Sequence, residues 1–277
     1  MKKKNRIPFI ILIIIHTTLL TYTFYKIKDR KRLFVLLMSN IGFAYLFEYI
    51  VLNIFQAYRY KPSIFKNKHL DNTLGAIFSQ AIYIPFTGVF ISAFQLGWKV
   101  KLFFVAYFFA IENLFIKIGV FKTNWWKTVY TAPLLPIFFM ISNFWYKHLK
   151  RGTPIILHMS LFHILIVINA NVLYLLAAFR KLRFGRGSIH SWREHFALAP
   201  LYAISSSIIT TWSLRKGNWF TTVKVFIFFL VKDWILKKSR LLKLNFSLGY
   251  FNMLYHLFML IIALYFKKLL STMQKKS

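Results

Sequence analysis

Apolar blocks about 20 residues long recur along this chain, and they constrain its fold more than any other feature. A helix needs about 20 mostly apolar residues to cross the hydrocarbon core of a bilayer. Of the 277 residues, 58 % are hydrophobic, whereas soluble domains are about 45–50 % apolar. One buried core cannot absorb this excess, so the sequence predicts an all-α fold, a polytopic transmembrane helical bundle.

We predict eight or nine spans within a single integral membrane domain covering residues 1–277. One segment is doubtful because Lys224 and Lys232 bracket only seven uncharged residues. That stretch is too short to span unless both lysines reach out to the interface. In chain order, the predicted spans are 8–25, 33–58, 74–98, 102–121, 128–146, 155–179, 196–212, 219–236 (the doubtful one) and 244–266.

Basic residues dominate the charge and lie in short clusters between the apolar blocks. Lys and Arg number 38 against 6 Asp and Glu, a formal net charge of +32. Such a balance first suggests nucleic acid, but these clusters form no soluble basic face. We therefore expect the partner to be the lipid bilayer, through its anionic head groups, and no nucleic acid. Richness in Lys, Ile, Phe and Asn is typical of an AT-rich genome and favours a bacterial plasma (inner) membrane.

Aromatic residues fall at the edges of the blocks. Amphipathic rings at this position are typical of the aromatic belt at the boundary between hydrocarbon and water. We interpret them as interfacial anchors rather than ligand contacts. They are Trp98, Trp125, Trp126, Tyr146, Trp192, Trp212 and Trp219.

Two carboxylates, Glu48 and Glu112, lie near the middle of predicted spans. A carboxylate there costs about 2.5–3.5 kcal/mol on insertion scales, which makes both residues functional candidates. Packing or pairing with a neighbouring helix is the favoured interpretation, and a proton or cation site is the alternative. Gly119, seven residues after Glu112, predicts close approach of a second helix.

Four further polar residues within spans are site candidates. Asn113 and Lys117 are neighbours on the helix that carries Glu112. His158 and His163 share the sixth span, but helical metal pairs prefer an i,i+4 spacing. We therefore expect these histidines to bond neighbouring helices and expect no metal or cofactor. We find no internal repeat in the sequence.

Residues 111–131 carry a resemblance to a known family. The stretch has Glu112 and Gly119 followed by an aromatic, then a Trp-Lys-Thr run and a Tyr-Thr pair. It resembles an uncharacterised family of multi-pass membrane proteins of endospore-forming Gram-positive bacteria. The resemblance implies a plasma-membrane location and directs attention to Glu112, and it implies no activity. The matching residues are Glu112, Gly119, Phe121, Trp126, Lys127, Thr128, Tyr130 and Thr131.

No catalytic constellation is present in the sequence. The chain has no cysteine, which excludes disulfides and thiolate chemistry, and it lacks the phosphate-loop, zinc-helix and serine-elbow motifs. We therefore expect a non-catalytic protein with a structural, sensory or stress- and sporulation-related role. The alternatives are a secondary transporter or channel that uses Glu48 and Glu112, and a membrane-embedded enzyme acting on lipid-linked substrates through His158, His163 or Glu112.

Overall fold

A computed structural model of the chain describes residues 5–215 and 219–274. The described residues form nine continuous helical segments and two short two-stranded sheets. Seven of the segments are long and apolar enough to cross a membrane, which confirms the all-α bundle. The other two are as long as a span, but every 18-residue stretch in them holds at least three charged side chains.

The nine helical segments contain eleven α-helices, and four short strands form the two sheets. The helices are α1 (Arg6–Lys26), α2 (Arg30–Glu48), α3 (Lys68–Ile77), α4 (Ile84–Ala93), α5 (Trp98–Lys117), α6 (Thr131–Lys150), α7 (Pro154–Ala178), α8 (Trp192–Leu214), α9 (Trp219–Lys238), α10 (Leu248–Phe251) and α11 (Leu257–Gln274). The strands are β1 (Tyr58–Tyr60), β2 (Phe121–Thr123), β3 (Leu182–Phe184) and β4 (Leu242–Leu244).

Three π-helical segments extend or join these helices. Tyr49–Ile54 prolongs α2, Phe78–Tyr83 joins α3 to α4, and Asn252–His256 joins α10 to α11. A π-helical turn contains an extra residue and frequently lies at a functional site. Each of the three adjoins or contains a buried polar side chain described below.

The third helical segment starts earlier than the predicted span 74–98. It runs from Lys68 to Ala93, through α3 and α4. The Asn67 side chain accepts hydrogen bonds from the backbone N–H groups of His69 and Leu70. This cap allows a polar turn to begin the helix, which a search for apolar blocks cannot detect.

The fourth segment is shifted from the predicted 102–121 to α5, Trp98–Lys117. Gly119 ends it with φ of +76°, a left-handed conformation that suits glycine at a helix C-terminus. No atom lies within 4 Å of a Cβ built on Gly119. The predicted close approach of a second helix at Gly119 is therefore wrong. Phe121, placed at the end of a predicted span, belongs to β2.

The outward faces of the helices are apolar. On α1, for example, Ile10, Ile11 and Ile14 are all exposed. Large exposed apolar surfaces are rare on soluble monomers, but they are expected where hydrocarbon is the solvent.

The chain divides into two compact units, Met1–Thr153 and Pro154–Ser277. In unit 1, α4 packs against α1, α2 and α6, and α5 packs against α6. Ser142 of α6 forms hydrogen bonds with three groups of α2 and α4. They are Asn40 of α2 at 2.8 Å, Ser92 of α4 at 2.8 Å and the Gly88 carbonyl of α4 at 3.1 Å. Small residues and interhelical hydrogen bonds of this kind stabilise helix packing within a bilayer.

In unit 2, α7 packs against α8 and α11, and α9 packs against α8. Asn169 of α7 donates to Ser207 of α8 at 3.2 Å and accepts a hydrogen bond from Tyr255. Polar side chains therefore join the helices of this unit as well.

The two units share one element order, a repeat that is not detectable in the sequence. In unit 1, α2 leads into β1, α3–α4 follow, and α5 leads into β2 and then α6. In unit 2, α7 leads into β3, α8 follows, and α9 leads into β4 and then α10–α11. Each strand pair is antiparallel and three residues long. Within the described part of unit 2, no helix corresponds to α1.

Matching hydrogen bonds close both sheets. Asn124 follows β2 and donates from its side chain to the Gln56 carbonyl at 2.5 Å. Asn245 follows β4 and donates in the same way to the Arg180 carbonyl at 2.6 Å. Gln56 and Arg180 both have positive φ, 50° and 57°. The two turns correspond: each has a residue with positive φ whose carbonyl accepts a hydrogen bond from an asparagine side chain. This correspondence identifies a structural duplication.

The turn before the second strand of each sheet allows the same backbone effect on stability to be tested in both units. Gly119 (φ +76°) and Arg240 (φ +57°) hold equivalent left-handed positions, and a side chain costs about 1–2 kcal/mol there. We expect Gly119→Ala to lower the free energy of unfolding by about 1 kcal/mol and Arg240→Gly to raise it by about 0.5–1 kcal/mol. SDS titration of the protein in mixed micelles measures both. Shifts in the same direction would contradict the assignment of the turn.

Candidate functional site

Unit 1 contains a cavity of about 300 Å³, within the range of small-molecule sites. Its lining comes from α1, α2, α4, α5 and α6, from the π-helical segment Phe78–Tyr83 and from both strands, and it is mainly aromatic and aliphatic with a few polar groups. Ile137 of α6 lines the cavity and is also half exposed at the outer face of the helix. The cavity therefore reaches the lipid-facing surface. Its polar and aromatic lining includes Tyr58, Tyr60, Ser79, Gln80, Tyr83, Glu112, Trp126 and Thr131.

Glu112 is the acidic group of the cavity lining. Its carboxylate accepts a hydrogen bond from the Trp126 indole N–H at 3.1 Å and from the Thr131 hydroxyl at 2.5 Å. The Thr128 side chain is a third hydrogen-bond partner of Glu112. A carboxylate can accept about four hydrogen bonds, so capacity for about one more remains for a ligand. Among the described residues, no basic side-chain nitrogen lies within 4 Å of Glu112.

Glu48 lies behind the cavity lining. One of its oxygens accepts hydrogen bonds from the Tyr58 hydroxyl at 2.6 Å and from the Gln80 side-chain amide at 3.1 Å. Both donors line the cavity. The other oxygen, Oε1, is buried and has no hydrogen-bond partner among the described residues. Glu48 thus orients two lining groups from the second layer, and Glu112 is the carboxylate that a ligand meets.

Tyr58 lies in β1, outside the membrane-spanning segments, and donates a hydrogen bond to Glu48. Burial, followed by the nearby charge of Glu48, raises the pKa of the Tyr58 hydroxyl well above its usual value, and Glu112 contributes to the same shift. The hydroxyl therefore remains protonated and acts as a donor to Glu48.

Both carboxylates lie towards one end of their helices, not at the middle as the apolar blocks indicate. Glu112 is five residues from the end of α5, and Glu48 is six residues from the end of the π-helical segment that prolongs α2. At 1.5 Å per residue, each lies about 8–9 Å from the helix end. These ends carry the β1–β2 sheet. The cavity is therefore near one boundary of the apolar layer.

The polar core of unit 2 contains an ion pair and very little space. Asp233 of α9 and His256 are 0 % and 2 % exposed, and His256 Nε2 lies 2.7 Å from Asp233 Oδ2. The Tyr202 hydroxyl donates to the other Asp233 oxygen at 2.8 Å. The cavity beside this group measures only about 10 Å³, too small for a ligand.

The remaining predicted site residues do not converge on the unit 1 cavity. Asn113 is exposed and donates to the Phe109 carbonyl of its own helix at 2.8 Å, and Lys117 is exposed at the end of α5. His163 is buried in unit 2 beside the ring of Phe162.

His158 lines a wider groove of about 770 Å³ in unit 2, together with Arg215 and Lys267. Within the ranges that the structure describes, no group of three His, Cys, Asp or Glu residues could hold a metal ion.

Several site residues were missed at the sequence level. Trp126, interpreted there as an interfacial anchor, donates to Glu112. Asp233 went unnoticed because its segment was doubtful as a span. One signal identifies it: Glu112 and Asp233 each stand nine residues before a strand with Lys at its second position, and that strand is followed by Asn.

No family model, curated protein or solved structure matches the chain. The resemblance of residues 111–131 to membrane proteins of endospore-forming bacteria therefore stays a prediction. The structure adds that its residues come together, because Glu112, Trp126 and Thr131 form one hydrogen-bonded group.

Proposed function

We propose that the protein is a non-catalytic, multi-pass protein of a bacterial plasma membrane that binds an amphipathic small molecule in the cavity of unit 1. The observation that carries the proposal is Glu112, a carboxylate with free acceptor capacity, in the wall of an otherwise largely apolar cavity of about 300 Å³. Apolar pockets with a few polar groups that fix orientation are the usual form of a ligand site. A sensory role fits such a protein.

The position of the cavity supports an amphiphile. Glu112 lies near the end of α5 that carries the β1–β2 sheet, where a polar head group finds the edge of the apolar layer. Phe108 and Phe138 extend the lining away from it with apolar surface for a hydrocarbon tail. Ile137 leaves the cavity in contact with the lipid side, from which such a molecule partitions.

We also propose anionic lipid head groups as partners of the protein, in line with the sequence-based prediction. Arg215 and Lys267 border the unit 2 groove and present positive charge beside apolar walls, which suits anionic head groups.

A brominated amphiphile tests the binding function. The protein is placed in phosphatidylcholine nanodiscs and titrated with 3-bromodecan-1-ol. Its bromine lies near the head group, where it can contact Trp126 and quench its fluorescence. The contribution of Trp126 is the difference between the wild type and a Trp126→Phe variant. We expect quenching of Trp126 to saturate, because the cavity holds a limited number of molecules. Quenching of the exposed Trp234, obtained in the same way, should rise without saturation.

A variant that fills the cavity is the matched control. Ala44 is buried and lines the cavity, so the phenyl ring of Ala44→Phe takes up the space of the ligand. We expect the saturable quenching to weaken by at least about tenfold, equivalent to about 1.4 kcal/mol. Trp126 quenching that rises in parallel with that of Trp234 in the wild type would overturn the proposal.

A secondary transporter is the second candidate, favoured by two of the π-helical segments. One directly follows Glu48 and the other contains Gln80, and π-helical turns often lie where helices rearrange at functional sites. Transport requires that the ligand cross the membrane. Uptake of a radiolabelled amphiphile into proteoliposomes that falls in Glu112→Gln would establish it, and saturable binding without uptake leaves the sensory role.

A further inference from the structure

The cavity of unit 1 and the polar core of unit 2 are equivalent places in the duplicated fold. Glu112 and Asp233 both stand nine residues before the second strand of their sheet and five residues before the end of their helix. Counting from the two acidic residues by equal steps pairs the lining of the 300 Å³ cavity with that of the 10 Å³ cavity. The pairs are Phe108 with Phe229, Leu134 with Tyr255, Leu135 with His256 and Phe138 with Met259.

The two basic residues beside Asp233 in unit 2 are replaced by apolar residues in unit 1. His256, which pairs with Asp233 at 2.7 Å, corresponds to Leu135. Lys232, whose ammonium lies 3.6 Å from the centre of the Tyr202 ring, corresponds to Ile111. Leu135 and Ile111 both line the unit 1 cavity.

The acidic residue is retained in unit 1 without these cations. A carboxylate in a low-dielectric site is stabilised by a nearby cation and by hydrogen bonds. In unit 2 the chain supplies both. In unit 1 it supplies the hydrogen bonds of Trp126 and Thr131, and the described residues place no basic nitrogen within 4 Å.

Aromatic rings surround the same position. Lys232 in unit 2 lies over Tyr202 and, at 4.7 Å, over Phe229. The unit 1 cavity presents the rings of Trp126, Tyr58 and Tyr60, and electron-rich ring faces attract cations. The lining is therefore suited to a positive head group as well as to a tail.

We propose that the ligand of unit 1 is a cationic amphiphile, a primary alkylammonium in its simplest form, whose head group binds Glu112 at the place that His256 and Lys232 hold in unit 2. The proposal rests on the binding function proposed above and names the chemical class of its ligand. The net charge of +32 repels cations from the protein as a whole, so a preference for them requires a local site.

Two probes that differ in the head group alone test the inference. Trp126 quenching in phosphatidylcholine nanodiscs is measured with 3-bromodecylammonium and with 3-bromodecan-1-ol. Because hydrogen bonds to charged groups are the stronger kind, we expect the ammonium to bind about 10- to 100-fold more tightly. In Glu112→Gln the preference should disappear while binding of the alcohol persists. Asn113→Ala, next in the chain but exposed, should behave as the wild type.

A second variant supplies the cation within unit 1. Leu135→His reproduces the arrangement of unit 2 by placing an imidazole N–H donor beside Glu112. We expect it to weaken ammonium binding by at least about tenfold. Full retention of ammonium binding in this variant, or of the preference in Glu112→Gln, would overturn the inference.

The outcomes separate the two proposals. Saturable binding of both probes with equal affinity rejects the cationic ligand and keeps the binding function. Quenching that does not saturate with either probe rejects the binding function itself.

Discussion

Replacing Asp233 with alanine is expected to lower the free energy of unfolding by about 3–5 kcal/mol. Asp233 is fully buried and binds both His256 and the Tyr202 hydroxyl. Its removal leaves two buried polar groups without their partner, and the free energy lost is mainly that of the unpaired groups. SDS titration of the protein in mixed micelles, followed by circular dichroism, measures the change.

A double variant tests the cause. Asp233→Leu combined with His256→Phe replaces the buried pair with apolar side chains, an exchange that is often neutral or stabilising. The His256 ring already stacks on Phe229 with centroids 5.0 Å apart and planes at 7°, so a phenyl ring fits there. The Tyr202 hydroxyl still loses its Asp233 acceptor, so we expect the double variant to lie about 1–3 kcal/mol below the wild type and to be more stable than Asp233→Ala. A double variant as unstable as Asp233→Ala would show that the cost comes from packing.

The half-exposed ion pair between Asp29 and Arg32, 2.6 Å apart, is the control. Asp29 also caps α2 by accepting from the Arg32 N–H. Asp29→Ala should cost only about 1 kcal/mol, mostly for the lost cap.

Gly75→Ala is expected to have the second large effect. A Cβ on Gly75 would lie 2.3 Å from Tyr60 Cβ and 2.9 Å from Tyr60 Cγ, so strand β1 must move away from α3. Overpacking of this kind costs about 1–3 kcal/mol, and more where the backbone is forced to shift. Since β1 also carries Tyr58, which binds Glu48, we expect saturable binding in the unit 1 cavity to weaken too.

A helical glycine with open surroundings provides the comparison. A Cβ on Gly249 in α10 meets only Ser247 Oγ, at 3.5 Å, an ordinary contact. Gly249→Ala should leave unfolding unchanged or stabilise the protein by up to about 1 kcal/mol, the difference in helix propensity. Thermal unfolding in detergent compares the two variants. Equal stability of both would show that β1 yields without cost.

The bundle could be predicted from the sequence because its cause is simple. A run of about 20 apolar residues has few stable arrangements other than a helix in hydrocarbon. Helix ends were less predictable, since they depend on single contacts such as the Asn67 cap and on the left-handed turn at Gly119.

The duplication could not be predicted from the sequence, because a hydrocarbon environment selects for apolar character rather than for particular side chains. Phe108 and its counterpart Phe229 are the same residue type, but Leu134 corresponds to Tyr255 and Leu135 corresponds to His256. Few identities survive such exchange, whereas the turns and backbone hydrogen bonds remain. The candidate site was found in part: Glu112 and Glu48 stand out as intramembrane acids, but Trp126 and Tyr58 reach them through the fold alone.

The β1–β2 sheet has a consequence for how unit 1 is made. Its two strands are separated in sequence by α3, α4 and α5. Tyr58 can therefore pair with Thr123 only after Thr123 has left the ribosome. Trp126 and Thr131, the partners of Glu112, emerge later still. During biosynthesis, the binding site is therefore completed only after the four helical segments from α1 to α5 have been synthesised, and a nascent chain stopped before β2 should integrate its first helices but bind no ligand.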